Sequence, residues 1–145
     1  MTVVNFPPKG TSETIQKVVL VVDDDPAQRM QVGNFLERQG ISVEYADNGR
    51  TALEAMRRLR PALVLFDVRM PDMDGLEAAR QAAELPEAPK IILMSGYDDY
   101  VVKANREKLG VFAVIHKPIP LKVLKRFVEE VFLKLGPSSD TDQGR

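Results

Sequence analysis

Cysteine is absent from the 145 residues, so neither a disulfide nor a thiolate metal centre is available. Histidine occurs once, as His116. A basic excess is also missing: 20 Lys and Arg stand against 21 Asp and Glu, for a net charge of −1. A nucleic-acid surface normally shows a basic stripe, so no nucleic-acid partner is expected. No segment approaches the ~18 consecutive apolar residues of a membrane span, so no membrane partner is expected either. The first 17 residues lack the charged start and the apolar stretch of about 7–15 residues that mark an export signal. A cytoplasmic location follows as the expectation. Phosphate-cradling glycine loops of the G-x-x-x-x-G-K-[ST] and G-x-G-x-x-G types are missing, and Ser95 lacks the G-x-S-x-G context of a nucleophile elbow.

A chain of this length is expected to form one domain and to bury roughly 68% of its unfolded surface. Residues 1–17 read as a flexible polar arm, 18–135 as the domain, and 136–145 as a flexible tail or the stub of a linker. Within the domain, strand-like and helix-like stretches alternate. "VVLVV" (18–22) is a buried-strand run, and "ISVEYA", "ALVLFD", "KIILMS" and "VFAVIHK" supply four more. Between and after them lie five helical stretches. The first carries Asp25 as N-cap, Pro26 at the first helical position and Gly40 as its stop. The second starts at Asn48; the third spans 75–85 and the fourth 98–109. The fifth, 121–135, shows Leu121, Leu124, Val128, Val131 and Leu135 at helical spacing. The scattered methionines read as core filler. Five β–α alternations imply an α/β fold with a five-stranded parallel sheet and helices on both faces.

In such sheets ligands bind beyond the carboxyl ends of the strands. The first strand ends in Asp23 and Asp24, the third in Asp67, the fourth in Ser95, and the fifth in Lys117. Like charges ~4 Å apart cost about 1 kcal/mol in bulk water and about 4 at an effective dielectric of 20. Carboxylates converging on one rim therefore call for a cation. An all-oxygen set without His or Cys suits Mg²⁺ or Mn²⁺.

"VLVVDDDP", "LFDVRMPDMDG", "IILMSG" and "IHKPI" stand in the order and at the spacing of the response-regulator receiver domain, and residues 18–135 resemble that family. The resemblance implies a flavodoxin-like, doubly wound (βα)5 fold. It implies Asp67 as phospho-acceptor, with Asp23, Asp24, Asp67 and the Arg69 backbone carbonyl around Mg²⁺. It implies that Ser95 bonds a phosphoryl oxygen and that Lys117 pairs with the phosphoryl group. It implies a sensor histidine kinase or histidine phosphotransferase as donor, and a downstream protein target. The expected activity is limited to self-phosphorylation and slow dephosphorylation, so a conventional enzyme is not expected. A homodimer through the face of the fourth helix, fifth strand and fifth helix is the further partner expectation.

The sequence departs from the family at Val114, where receivers carry an aromatic residue that couples to the Ser/Thr. Phe112, two residues earlier with the same strand parity, and Tyr97 are the candidates to replace it. Arg69 also stands where aspartyl phosphatases of the haloacid-dehalogenase type need a second aspartate. His116 reads as a surface or edge residue. Two other readings compete with the phosphorylated switch: a degenerate receiver acting as a constitutive interaction module, and the receiver fragment of a larger regulator or hybrid kinase.

Overall fold

β-Branched and aliphatic residues fill the short runs between the polar stretches, and each run becomes a strand covered on both sides. The computed structural model describes residues 14–68, 75–96 and 111–136. Along them run β1 (Gln16–Val22), α1 (Pro26–Arg38), β2 (Ser42–Ala46), α2 (Gly49–Leu59), β3 (Pro61–Asp67), α3 (Gly75–Ala83), β4 (Lys90–Ser95), β5 (Ala113–His116) and α4 (Leu121–Lys134). The expected helix over 98–109, residues 1–13 of the arm and residues 137–145 of the tail lie outside the described residues. The strands pair in parallel in the order β2-β1-β3-β4-β5. This is the parallel α/β sheet that the alternation calls for.

Strand parity divides the core in two. On one side Leu20, Val22, Val64, Phe66 and Leu93 pack against α2 and α3. The alanines Ala78, Ala79 and Ala82 of α3 are fully buried, and their small side chains let that helix lie close to the sheet. On the other side Val19, Val21, Leu63, Leu65, Ile92 and Met94 meet Val32 and Leu36 of α1 and Leu124, Val128 and Val131 of α4.

Local signals set the helix ends. The Asp25 carboxylate accepts from the Ala27 N–H at 3.0 Å, and the Asn48 side chain accepts from the Thr51 N–H at 2.8 Å. Both satisfy N–H groups that the first helical turn leaves without partners. Gly40 follows α1 at φ +83, the left-handed region that glycine adopts without penalty.

Several boundaries differ from the sequence reading. Gln16 and Lys17, assigned to the arm, are strand residues, because the Gln16 N–H is held by the Arg60 carbonyl at 2.8 Å. Strand β5 is shorter than 111–117, and α3 stops at Ala83, before the turn that carries Pro86. Leu135 closes the expected apolar stripe of α4 but is exposed, since it lies past the helix end. Met30 is exposed as well and fills no core space, whereas Met56 and Met94 are buried as expected.

One close approach fixes how α1 meets β2. The Tyr45 ring lies across Gly33, and its hydroxyl donates to Glu37 at 2.5 Å. A Cβ on Gly33 would stand 2.2 Å from the Tyr45 Oη. Burial and the adjoining Glu37 push the Tyr45 phenol up to about 12. Alanine at position 33 gains about 1 kcal/mol of helix propensity but must expel the ring and break its hydrogen bond. We therefore expect Gly33→Ala to destabilise the protein by about 1 kcal/mol net. In a Tyr45→Ala background the same change should stabilise it. Denaturant unfolding of the four proteins checks this reversal of sign.

Candidate functional site

In a parallel sheet every strand ends at the same rim. The order β2-β1-β3-β4-β5 reverses direction between β1 and β3, so the connections leaving those two strands diverge and open a crevice. Asp23 follows β1 and Asp67 ends β3, on either side of that crevice. Carboxylate oxygens of Asp23, Asp24 and Asp67 lie within 4.8 Å of one another. Asp23 and Asp67 are buried, and Asp24 faces solvent.

Asp23 carries the sharpest electrostatic demand. Its Oδ1 accepts from the Asp25 N–H at 2.9 Å, and its carbonyl accepts from Arg29 Nη1 at 2.7 Å. Its Oδ2 is buried with no hydrogen-bond partner among the described residues. An ionised oxygen in that state costs far more than one in water. Burial first, and then the Asp67 carboxylate, push Asp23 up to about 6, against the opposing pull of the Asp25 N–H and Lys117.

Lys117 supplies the positive charge from the other end of the sheet. Its Nζ stands 3.2 Å from Asp67 Oδ2 and donates to Gln28 Oε1 at 3.0 Å. Its backbone N–H donates to the Ser95 carbonyl at 2.7 Å, which extends the β4–β5 ladder one residue past the strand. The Lys117–Pro118 peptide bond is cis. Ser95 is fully buried, and its Oγ lies 3.1 Å from His116 Nδ1.

The rim thus gathers Asp23, Asp24, Asp67, Ser95 and Lys117. Arg69 and Tyr97 lie outside the described residues. Val114 is half-buried and packs on the α2/α3 side of the sheet. Phe112 does not share that face. It precedes β5 and packs on the α1/α4 side, edge-on to Phe127 with ring centroids 5.8 Å apart. The parity argument fails there because β5 starts only at Ala113, and the alternation does not extend back to Phe112.

Sequence reasoning missed two residues. Gln28 stands three residues after the N-cap Asp25, where a Gln commonly reaches back to the cap; its side chain serves Lys117 instead. His116, expected as a surface or edge residue, does lie on the edge strand β5 but is half-buried, with Nδ1 against Ser95. Its immediate neighbourhood to Lys117 was the available signal.

The donor set fits a hard divalent cation. All three side chains offer oxygen, one of those oxygens is buried without a partner among the described residues, and the cluster is small enough for one ion to reach each residue. The described helices include none long and apolar enough to cross a membrane.

Comparison with known proteins converges on this geometry. The family model described as "Response regulator receiver domain" matches residues 19–129. The response regulator receiver protein CpdR of Brucella abortus is 31% identical over 117 residues, which cover 81% of this chain and 98% of CpdR. The regulatory protein AtoC of Escherichia coli is 32% identical over 111 residues, 77% of this chain but 24% of AtoC, so the chain spans about a quarter of that relative. Among solved structures, the signal receiver domain of a histidine kinase from Syntrophus aciditrophicus superposes with a TM-score of 0.77 at 28% identity, covering 86% of this chain and 96% of that one.

The raised Asp23 gives a test of the site that needs no activity assay. A carboxyl that binds its proton more tightly folded than unfolded costs stability as pH rises from 3.8 through about 6. In chelator, Asp23→Asn should therefore be more stable than the parent by up to about 3 kcal/mol at neutral pH, and the difference should shrink toward pH 4. Added Mg²⁺ should stabilise the parent more at pH 7.5 than at pH 5 and should stabilise the variant little. Thermal unfolding across pH, with and without Mg²⁺, measures both effects.

Proposed function

The chain belongs to the response regulator receiver family, and we propose that it is a phospho-accepting switch of a two-component or phosphorelay system, with Asp67 as the acceptor. The observation that carries this reading is Lys117 Nζ held 3.2 Å from Asp67 Oδ2 beside two further carboxylates. An acceptor carboxylate flanked by acids repels an incoming phosphoryl group, and an adjoining ammonium offsets that repulsion at the point of attack.

In the proposed reaction an Asp67 oxygen forms a bond to phosphorus as the P–N bond of a donor phosphohistidine breaks. The electron pair of that bond stays on the donor imidazole, which takes a proton from solvent. The product is an acyl phosphate, a known form of covalent intermediate on carboxylates. Ser95 donates its hydroxyl to a phosphoryl oxygen, and Lys117, steadied by Gln28, holds its charge beside the group being transferred. Asp23, Asp24 and Asp67, with the Arg69 carbonyl, are the residues proposed to hold Mg²⁺. When bound, that ion supplies charge neutralisation for the carboxylates and the phosphoryl oxygens.

The donor is proposed to be a sensor histidine kinase or a histidine phosphotransferase, in the cytoplasm. The product is a changed surface rather than a released molecule, so the protein acts as a switch and catalyses only its own modification. The outward side of α4 exposes Val123 and Leu133 among Lys122, Arg126, Glu129 and Glu130. It is the proposed face for a downstream protein or a second copy of the chain.

Intact-protein mass after incubation with acetyl phosphate and Mg²⁺ tests the reading. A phosphoryl adduct should form on the parent and be absent from Asp67→Asn and from the parent in chelator. If the parent gains no adduct and binds no beryllofluoride with Mg²⁺, the phosphorylation-independent interaction module replaces this proposal.

A further inference from the structure

Ser95 and His116 are register partners on neighbouring parallel strands, so their side chains leave the sheet on the same face. Their contact is a product of the ladder itself, reinforced one residue on by the Lys117 N–H to Ser95 carbonyl bond of 2.7 Å. Ser95 Oγ lies 3.1 Å from His116 Nδ1, and the serine is only 1% exposed. A buried hydroxyl must spend its single hydrogen on some acceptor, and the ring nitrogen is within reach.

We propose that His116 is the positioning residue for Ser95: the Ser95 hydroxyl donates to His116 Nδ1 in the resting protein, and the phosphoryl group on Asp67 competes with that nitrogen for the same hydrogen. This rests on the phospho-acceptor reading above and adds to it. A phosphoryl oxygen only accepts hydrogen bonds, so in the tautomer whose Nδ1 carries no hydrogen Ser95 cannot serve both groups with one O–H. Capture of the phosphoryl oxygen therefore breaks the Ser95–His116 hydrogen bond. The His116 ring stands on β5 two residues from Val114, on the same face of the strand, and that face packs toward α2 and α3. The signal that an aromatic residue at position 114 would carry passes instead to His116, which touches the serine directly.

The chain contains one histidine, so its imidazole resonances report this contact without assignment ambiguity in untagged protein. The experiment is imidazole ¹⁵N NMR of the wild type, titrated with beryllofluoride as a phosphoryl mimic in Mg²⁺. Beside it, beryllofluoride affinity is measured for H116L and H116N. Saturation should shift the Nδ1 resonance, and S95A should shift it in the same direction without the mimic. H116L removes the competing acceptor and should bind beryllofluoride roughly two- to tenfold more tightly, the span of one neutral hydrogen bond. H116N offers an oxygen near the place of Nδ1 and should return toward the wild-type affinity. An unmoved Nδ1 resonance at saturation, or weaker binding by H116L, overturns the inference and leaves the acceptor reading intact. Absence of beryllofluoride binding by the wild type overturns the inference, and together with the absence of a phosphoryl adduct it overturns both. The wild-type titration decides the matter even where a variant does not fold.

Discussion

The ion pair of Lys117 with Asp67, 3.2 Å long, joins the two halves of the sheet rim and is the contact on which the site depends. Asp67 is 8% exposed at its side chain and Lys117 28%, so the pair sits where water screens it only in part. Without the ammonium, two buried carboxylates and a third at the surface would face one another across a crevice. Even with it, one oxygen of Asp23 is left without a hydrogen-bond partner among the described residues. Among the described residues one ammonium, that of Lys117, stands against three acids. The protein holds this excess of negative charge in place by the rigidity of its central strands, and the donor set fits a divalent ion.

That rigidity comes from position in the sheet. β1 and β3 are interior strands, and Val19 to Val22 and Leu63 to Phe66 are wholly or almost wholly excluded from water. Moving Asp23 or Asp67 away from its neighbour would mean sliding a strand in a core packed on both faces, and a one-residue slip would exchange the faces of all its side chains. The acids therefore cannot relax apart by backbone motion. Their repulsion appears instead as an upward push on Asp23, where burial contributes most and Asp67 adds to it. The same fixed placement that costs stability is what lets an incoming charge find its partners already aligned.

The strand ends were legible because each apolar run terminates abruptly in a residue with chemistry, and a parallel sheet sends all such ends to one rim. The caps Asp25 and Asn48 were legible because N-capping is local. What escaped was set by register and side-chain reach. Nothing in a single sequence states that Ser95 lies opposite His116, since parallel pairing depends on how two strands slide against each other. Gln28 reaches 89 positions along the chain to Lys117, a contact that no local pattern encodes. Phe112 was assigned to the wrong side of the sheet because its parity was counted through a strand that begins one residue later.

The two halves of the rim are not held equally. The acids stand at the ends of interior strands, whereas Lys117 and His116 stand at the end of β5, a four-residue strand with a neighbour on one side only among the described strands. A shift in the charge balance at the acids is therefore answered most cheaply at β5, where fewest contacts must break. Ser95 belongs to β4 and lies between the two regions, with its carbonyl tied to Lys117 and its hydroxyl to His116. The first bond runs through the backbone and is indifferent to what occupies the rim. The second uses the one hydrogen that an added anion would claim. A fixed backbone tether paired with a side-chain bond open to competition lets β5 keep its place in the sheet while its side chains change state, and that is the mechanical requirement for a switch built at the edge of a rigid core.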